Sequence, residues 1–166
     1  MSAEVAIIAL GSNVGDSPGI LRRVIERLAE FSVRPLVKSS LWQTTPVDCP
    51  PGSPPFVNAV VTLTPAEGET PESLLAKLLA LEKEFGRRPK QVLNEPRRLD
   101  LDLIAFGNES RLSPSLILPH PRAVERRFVL QPLSEIAPDL VLPDQNKTVS
   151  QLLAKLTSSE KLVKLP

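Results

Sequence analysis

Two aspartates one residue apart stand out as side chains that could hold a metal ion. Residues 99–104 read LDLDLI, so leucine and aspartate alternate. In a β-strand, alternate side chains point to opposite faces, which places Asp100 and Asp102 on one face with their Cα atoms about 7 Å apart. Such carboxylates repel each other unless a cation lies between them, and Mg²⁺ commonly takes one or two carboxylates with water and substrate phosphates. By periodicity alone, a solvent-facing pair on an ordinary strand is an equal alternative.

Basic residues close to this pair favour a phosphate-binding site. One group precedes the aspartates and another follows them: Arg87, Arg88, Lys90, Arg97 and Arg98, then Arg122, Arg126 and Arg127. A guanidinium group matches two phosphate oxygens with two parallel hydrogen bonds. Carboxylates that hold a divalent cation, with arginines beside them, are the groups that a polyphosphate needs. The combination therefore predicts a polyphosphate site, with a solvated charged loop as the alternative.

Three further polar features have two interpretations each. His120, the only histidine, lies between two prolines and is either structural or a hydrogen-bond donor to a phosphate. Residues 11–13 (GSN) follow an apolar run and could form a phosphate-binding turn, although they lack the spacing of the known glycine-rich nucleotide motifs. Asn58 lies among apolar residues, so its amide must find a partner either in the backbone or in a polar heterocycle.

The composition is that of a globular protein with one domain. The chain has 166 residues, of which 42% are hydrophobic and 23% are charged, and its formal net charge is +1. So small a charge argues against a surface built for non-specific nucleic-acid or membrane binding. A single cysteine, Cys49, excludes an internal disulfide, and no apolar run approaches the roughly 20 residues of a membrane span. We expect a single domain over residues 1–166, located in the cytoplasm.

The elements that must position these residues follow from apolar periodicity and from helix start and stop signals. Strands are predicted at residues 5–10, 33–44, 56–63 and 99–106, with Ile104 and Phe106 on the face of the two aspartates. Helices are predicted from Pro18 and from Pro71, the second ending at Gly86, and at residues 122–131. A short strand at 140–142 and a helix at 148–156 complete the chain. This order predicts a ferredoxin-like α+β sandwich, with helices on one face of an antiparallel sheet and a C-terminal extension.

Seven segments, in order and along almost the whole chain, resemble one enzyme family. They are residues 9–13 (ALGSN), 39–44 (SSLWQT), 56–59 (FVNA), 96–104 (PRRLDLDLI), 106–108 (FGN), 118–121 (LPHP) and 126–130 (RRFVL). The family is the 6-hydroxymethyl-7,8-dihydropterin pyrophosphokinases of folate biosynthesis. The resemblance implies a Mg²⁺-dependent diphosphotransferase that moves a pyrophosphoryl group from ATP to the pterin hydroxymethyl group and releases AMP. It implies small-molecule partners only, no nucleic acid and no membrane, and we expect a monomer.

The resemblance also implies a role for individual residues. Two Mg²⁺ ions would lie on Asp100 and Asp102, and the catalytic set would add Arg87, Arg97 and His120. The implied ATP contacts are Glu82, Arg88, Arg97, Leu103, His120 and Arg126. The implied pterin pocket consists of Thr44, Val47, Phe56, Asn58 and Phe128, in which Phe128 stacks on the ring and Asn58 reads its edge.

Four positions depart from the family pattern. Glu95 replaces a glycine, Asn94 a tryptophan, Pro89 a loop arginine and Ser115 another arginine. These departures motivate one alternative, a degenerate member that binds ATP or pterin without efficient transfer. The other alternative is a non-catalytic ferredoxin-like module that binds nucleotides or RNA. Aspartates on the sheet face and a net charge of +1 argue against that module.

Overall fold

The computed structural model describes residues 4–44, 54–86, 99–157 and 160–166. Within these ranges the strands are β1 (Ala6–Ser12), β2 (Val37–Lys38), β3 (Trp42–Thr44), β4 (Phe56–Leu63), β5 (Asp100–Phe106), β6 (Arg111–Leu112), β7 (Ile117–Leu118) and β8 (Leu162–Lys164). The helices are α1 (Ser17–Ala29), α2 (Pro71–Glu84), α3 (Arg127–Ile136) and α4 (Val149–Lys155), with a 3₁₀ turn at Ala123–Glu125. No helix in the described ranges has the length and apolar character needed to cross a membrane.

The main sheet is antiparallel and has the predicted ferredoxin-like order. Its strands follow the order β5-β1-β4-β3-β8, and β2 pairs with β4 beside β3. Because β2 and β3 together occupy the place of one strand, the core order is fourth, first, third, second. The C-terminal β8 extends the sheet beyond that core. A separate hairpin, β6–β7, follows β5 and was not predicted.

The strand predicted at residues 33–44 is in fact two short strands. Val37 pairs with Thr62 and Trp42 with Asn58, so the register against β4 shifts by one residue between β2 and β3. Ser39 lies at this shift: its Oγ accepts the N–H of Val60 at 2.9 Å. A side chain thus takes over one ladder bond from the backbone, which periodicity in the sequence does not reveal.

Helices cover both faces of the sheet, so the expectation of one covered face is wrong. The first apolar cluster joins α1 and α2 to alternate β1 residues, with members Ile8, Leu10, Leu21, Leu28, Leu74, Leu78, Leu101, Leu103 and Phe106. The second apolar cluster joins α3 and α4 to the intervening β1 residues, with members Ile7, Ala9, Val60, Ile104, Ala105, Val129, Leu130, Leu133 and Val149. Since successive strand residues point to opposite faces, β1 contributes to both. All seven β1 residues are buried.

The helices from Pro18 and Pro71 are confirmed, and the C-terminal elements differ in detail. Residues 123–125 form the 3₁₀ turn, and α3 continues through Pro132 to Ile136 rather than ending at residue 131. Packing of Leu133 in the second apolar cluster favours this continuation despite the proline. Residues 140–142 do not form a strand; Leu142 instead packs in the same cluster. The predicted helix at 148–156 is confirmed as α4.

Candidate active site

The centre of the candidate site is a row of residues across three strands. Gly11 of β1 lies opposite Asn58 of β4 on one side and opposite Asp100 of β5 on the other. Two residues earlier in β1, on the same face as Gly11, Ala9 lies between Val60 and Asp102. Ala9 and Val60 belong to the second apolar cluster. Strand alternation therefore places both aspartates and Asn58 on the face that α3 covers.

The predicted shared face of Asp100 and Asp102 is confirmed, but the face of Phe106 is not. Ile7 pairs with Ala105 whereas Ile8 pairs with Leu103, so Ile104 is an extra residue in β5. This bulge reverses the alternation. As a result Ile104 stays on the aspartate face in the second apolar cluster, while Phe106 packs in the first.

Arg126 links the aspartates to the start of α3. Its Nη1 lies 3.9 Å from Oδ2 of Asp102, and its guanidinium carbon lies 5.4 Å from the centre of the Phe128 ring. Arg126 is the N-cap residue that precedes α3, and the side chains of Arg126 and Asp102 are 25% and 35% exposed. A partly exposed cation beside the Asp102 carboxylate is available to a phosphate ligand.

His120 lies beside the same strand because its backbone N–H donates to the carbonyl of Ile104 at 2.9 Å. Its Nδ1 accepts the backbone N–H of Arg122 at 3.3 Å. Burial, then the charges of Arg126 and Arg122, lower the pKa of His120 below its ordinary value, and the charge of Asp100 opposes them. The lowered pKa favours the neutral ring, and the contact at Nδ1 favours the tautomer with its proton on Nε2, which can then donate a hydrogen bond.

Glu82 is buried and supports the strand that carries the aspartates. It is 1% exposed, and its Oε2 accepts the backbone N–H of Leu101 at 2.7 Å. Among the described strands β5 is an edge strand, so the N–H of Leu101 has no strand beside it to accept its hydrogen bond. The Glu82 carboxylate accepts it instead, between the two aspartates. The Leu103 side chain packs in the first apolar cluster. A nucleotide contact from Leu103 would therefore involve its backbone.

The residues predicted for the heterocycle lie together on β3, β4 and α3. Thr44 and Phe56 are cross-strand partners, and Trp42 is opposite Asn58. The hydroxyl of Thr44 donates to Oδ1 of Asn58 at 2.8 Å, and Nδ2 of Asn58 donates to the carbonyl of Leu10 at 3.5 Å. Phe56 and Phe128 are half-buried, which leaves part of each ring for a ligand. These two hydrogen bonds give the Asn58 amide partners within the protein and fix its orientation.

Several predicted site residues fall outside the described ranges. Val47, Arg87, Arg88 and Arg97 are among them, as are the departures Pro89, Asn94 and Glu95. Ser115 is described and is exposed in the turn between β6 and β7. The turn expected at residues 11–13 does not begin at Gly11, because Gly11 and Ser12 continue β1 and pair with β4. A glycine inside an apolar strand signals a close approach of another group, and this signal was available in the sequence.

A cavity of about 590 Å³ has His120 in its wall, whereas Asp100, Asp102 and Asn58 do not line it. Its walls come from the β6–β7 hairpin, the His120 loop and the chain around Leu142, and they include Ile104, Arg111, Leu118, Val124 and Asp144. This volume lies within the range of small-molecule sites, and the mixture of apolar walls with a few polar groups is typical of them.

The donor set suits a hard divalent cation that shares its ligands with a substrate. Within the described ranges no group of three or more His, Cys, Asp or Glu side chains converges as a metal site of its own. Asp100 and Asp102 offer carboxylate oxygens on one partly exposed face. Mg²⁺ commonly uses one or two carboxylates and completes its shell with water and phosphate oxygens. These residues therefore fit Mg²⁺ in the presence of a polyphosphate.

The chain resembles solved structures in fold. The pyrophosphokinase part of Plasmodium falciparum HPPK-DHPS, crystallised as wild type with pteroate, matches with a TM-score of 0.70 at 14% identity over 93% of this chain and 42% of that chain. The wild type with SDX-DHP gives the same TM-score and identity over 93% of this chain and 44% of that chain. Similarity at this identity establishes the fold.

Sequence comparison establishes the family. The model of 7,8-dihydro-6-hydroxymethylpterin-pyrophosphokinase (HPPK) matches residues 7–138. The 2-amino-4-hydroxy-6-hydroxymethyldihydropteridine pyrophosphokinase of Haemophilus influenzae is 38% identical over 96% of this chain and 97% of its own length. The protein of the same name from Synechocystis is 38% identical over 91% of this chain and 75% of its own. The folic acid synthesis protein fol1 of Pneumocystis carinii is 36% identical over 95% of this chain, which spans 21% of that protein. The chain therefore belongs to the 7,8-dihydro-6-hydroxymethylpterin-pyrophosphokinase family.

Proposed function

We propose that this chain transfers a pyrophosphoryl group from ATP to the hydroxymethyl group of 6-hydroxymethyl-7,8-dihydropterin and releases AMP. Family membership makes it a pyrophosphokinase of folate biosynthesis. The observation that supports the residue-level proposal is the row in which Gly11 separates Asn58 from Asp100. Neighbouring strands lie about 4.8 Å apart, so the Cα atoms of Asn58 and Asp100 are roughly 10 Å apart. A heterocycle read by Asn58 would place a side arm toward the aspartates.

Each half of the site has a separate task in this proposal. Asn58 hydrogen-bonds the edge of the pterin, and Phe56 and Phe128 cover its faces. Asp100 and Asp102 would hold two Mg²⁺ ions, which when bound supply charge neutralisation on the phosphates and a template for them. Arg126 and the neutral Nε2–H of His120 donate to phosphate oxygens. Val47, Arg87, Arg88 and Arg97, implied by the family resemblance, would add further contacts.

The transfer balances without another reactant. The hydroxymethyl oxygen forms a bond to the β-phosphorus of ATP as the bond from that phosphorus to the oxygen bridging the α- and β-phosphates breaks. AMP leaves with that oxygen, and the hydroxyl proton passes to solvent. The contribution of the protein is to hold the two substrates in line and to offset the developing charge. We also propose that the chain acts as a monomer in the cytoplasm.

The decisive experiment is an assay of AMP release. Purified protein with ATP, Mg²⁺ and 6-hydroxymethyl-7,8-dihydropterin should form AMP and the pterin diphosphate in equal amounts. A circular-dichroism spectrum of the same sample checks the fold. A folded protein that binds both substrates and forms no AMP would support the degenerate alternative and contradict the enzyme proposal. The same assay without pterin separates transfer from simple hydrolysis of ATP.

A further inference from the structure

Gly11 lies at the middle of the site, in register between Asn58 and Asp100, and takes no direct part in the proposed reaction. We infer that Gly11 is a positioning residue: the absence of its side chain leaves the space that the Asn58 amide occupies, and so sets how Asn58 reads the heterocycle. This inference rests on the proposed function, because it assumes that Asn58 binds the pterin.

The first reason is the contact itself. A Cβ added at Gly11 would lie 3.0 Å from Nδ2 of Asn58. The amide is not free to retreat, because Thr44 donates to its Oδ1 at 2.8 Å and its Nδ2 donates to the Leu10 carbonyl at 3.5 Å. Asn58 is 6% exposed. A methyl group at residue 11 would therefore displace the amide or break one of these hydrogen bonds.

The second reason is that the backbone does not need glycine here. Gly15, Gly68, Gly86 and Gly107 have positive φ, whereas Gly11 has an ordinary strand conformation that any residue adopts. Glycine within a strand lowers stability, because it loses more conformational entropy on folding and offers no side chain for packing. The backbone taken by itself would therefore favour alanine at this position, so the reason for glycine lies in the neighbouring Asn58 amide. Space above the strand, at the point where the two substrates would meet, is what glycine provides.

The test is a double-mutant cycle read by ligand affinity in the full chain. Calorimetry would measure binding of 6-hydroxymethyl-7,8-dihydropterin, and separately of a Mg²⁺-bound ATP analogue with a methylene group between the α- and β-phosphates. Gly11→Ala should weaken pterin binding tenfold or more and change nucleotide binding less than twofold. In the Asn58→Ala background, Gly11→Ala should change pterin binding less than twofold, because the amide that it displaces is absent.

Gly68→Ala is the matched control. Gly68 has a φ of +88°, and an added Cβ there would have no atom within 4 Å. It should lower the melting temperature without changing either affinity, which separates strain from positioning. Unchanged pterin binding in Gly11→Ala, or an equal loss in both backgrounds, would overturn the inference about Gly11. Unchanged pterin binding in Asn58→Ala would instead overturn the proposed placement of the pterin.

A folding defect would not leave the question open. If Gly11→Ala alone does not fold, Gly11→Ala combined with Asn58→Ala should fold, since the crowded amide has been removed. A double variant that also fails to fold would contradict the inference, because the cost of the methyl group would then not come from Asn58.

Discussion

Asp102 lies beside Arg126 and is proposed to bind Mg²⁺. The negative charge of its side chain is therefore the property to test. Asp102→Asn keeps the size of the side chain and removes the charge. We expect turnover to fall at least 10³-fold, as when a group that stabilises the transition state is lost. The melting temperature should change little, because the Asp102 side chain is 35% exposed and its 3.9 Å contact with Arg126 is weak. AMP release and thermal unfolding measure the two effects.

Asp139→Asn is the control for the loss of one negative charge. Asp139 is exposed and lies beyond the end of α3. Its replacement should leave turnover unchanged. Turnover in Asp102→Asn that stays within threefold of the unmodified chain would place the metal elsewhere.

The charged neighbours of His120 determine in which direction its pKa should change when each of them is replaced. Burial and two arginines lower its pKa, while Asp100 raises it. Arg126→Met should therefore raise the pKa of His120, and Asp100→Asn should lower it further. In the free protein the ring should titrate below its ordinary value of about 6.5. The unfolded chain then binds a proton first as the pH falls through this range, so His120 lowers stability on acidification.

A proton NMR titration measures this directly, since His120 is the only histidine. The titration should be run with a chelator so that no cation lies on the aspartates. Arg23→Met, on α1 away from the site, is the control and should leave the titration unchanged. Shifts of the same sign in Arg126→Met and Asp100→Asn would contradict the arrangement.

At this scale the sequence predicts side-chain faces but not partners. Alternation predicted that Asp100 and Asp102 share a face, because the strand period is local. It did not predict that Glu82 would accept the N–H of Leu101, since that contact depends on how α2 packs beside β5. Nor could it predict the bulge at Ile104, where pairing with β1 overrides the alternation and turns Phe106 to the other face.

At the scale of elements, one carboxylate of α3 contacts both β3 and β8, which pair with each other in the sheet. Glu135 accepts the N–H of Ser40 at 2.8 Å and the indole N–H of Trp42 at 3.2 Å, and it lies 3.6 Å from Nζ of Lys164. Lys164 in turn lies 5.3 Å from the centre of the Trp42 ring. Partial burial raises the pKa of Glu135, but the hydrogen bonds from Ser40 and Trp42 and the charge of Lys164 lower it by more. The net pKa lies below its ordinary value.

A pH-dependent contribution to stability follows from this network. A carboxyl with a lowered pKa stabilises the fold above its unfolded pKa, and this contribution is lost as the pH falls through its folded value. Glu135→Gln should lower the free energy of unfolding by about 1 kcal/mol at pH 7, a modest figure because the group is partly exposed. The difference from the unmodified chain should shrink as the pH falls below about 4.5. Urea unfolding between pH 7 and 3 measures it.

Glu125→Gln is the matched control, because among the described residues the Glu125 carboxylate has one long ion pair, 4.0 Å from Arg122, with both side chains exposed. It should have no measurable effect at either pH. A loss in Glu135→Gln that persists unchanged at pH 3 would show that packing rather than charge is responsible.

Elements with strong local signals were predicted well and those with tertiary causes were not. β4 and α2 match their predicted positions, since a mostly apolar run and a threonine-proline start carry the information locally. The capping box between Thr70 and Ser73 is one such signal. The break between β2 and β3, the passage of α3 through Pro132 and the irregular chain at 140–142 all depend on long-range packing. β8 forms because it pairs with the free edge of β3, and the short sequence of β8 does not by itself predict a strand.

At the scale of the whole molecule, the two apolar clusters share one sheet. β1 gives Ile8 and Leu10 to the first apolar cluster, and Ile7 and Ala9 to the second. Its burial on both faces explains why residues 5–10 form a continuous apolar run rather than an alternating one. On one face of β1 the apolar residues end at Gly11, and the candidate site lies at this point. The strand that joins the two clusters therefore also contributes to the site.

Because the sheet is common to both clusters, they should unfold together. Leu21→Ala in the first apolar cluster and Leu130→Ala in the second remove fully buried side chains, and each should cost about 2–5 kcal/mol. Both should shift a single transition rather than produce two. Trp42 is the only tryptophan and lies on β3, so its fluorescence reports the sheet while far-ultraviolet circular dichroism reports the helices. Coincident urea midpoints for both probes in both variants are expected. A Leu130→Ala variant that loses helix signal before the fluorescence of Trp42 changes would mean that α3 and α4 unfold separately, and that the site loses Arg126 and Phe128 before the sheet melts.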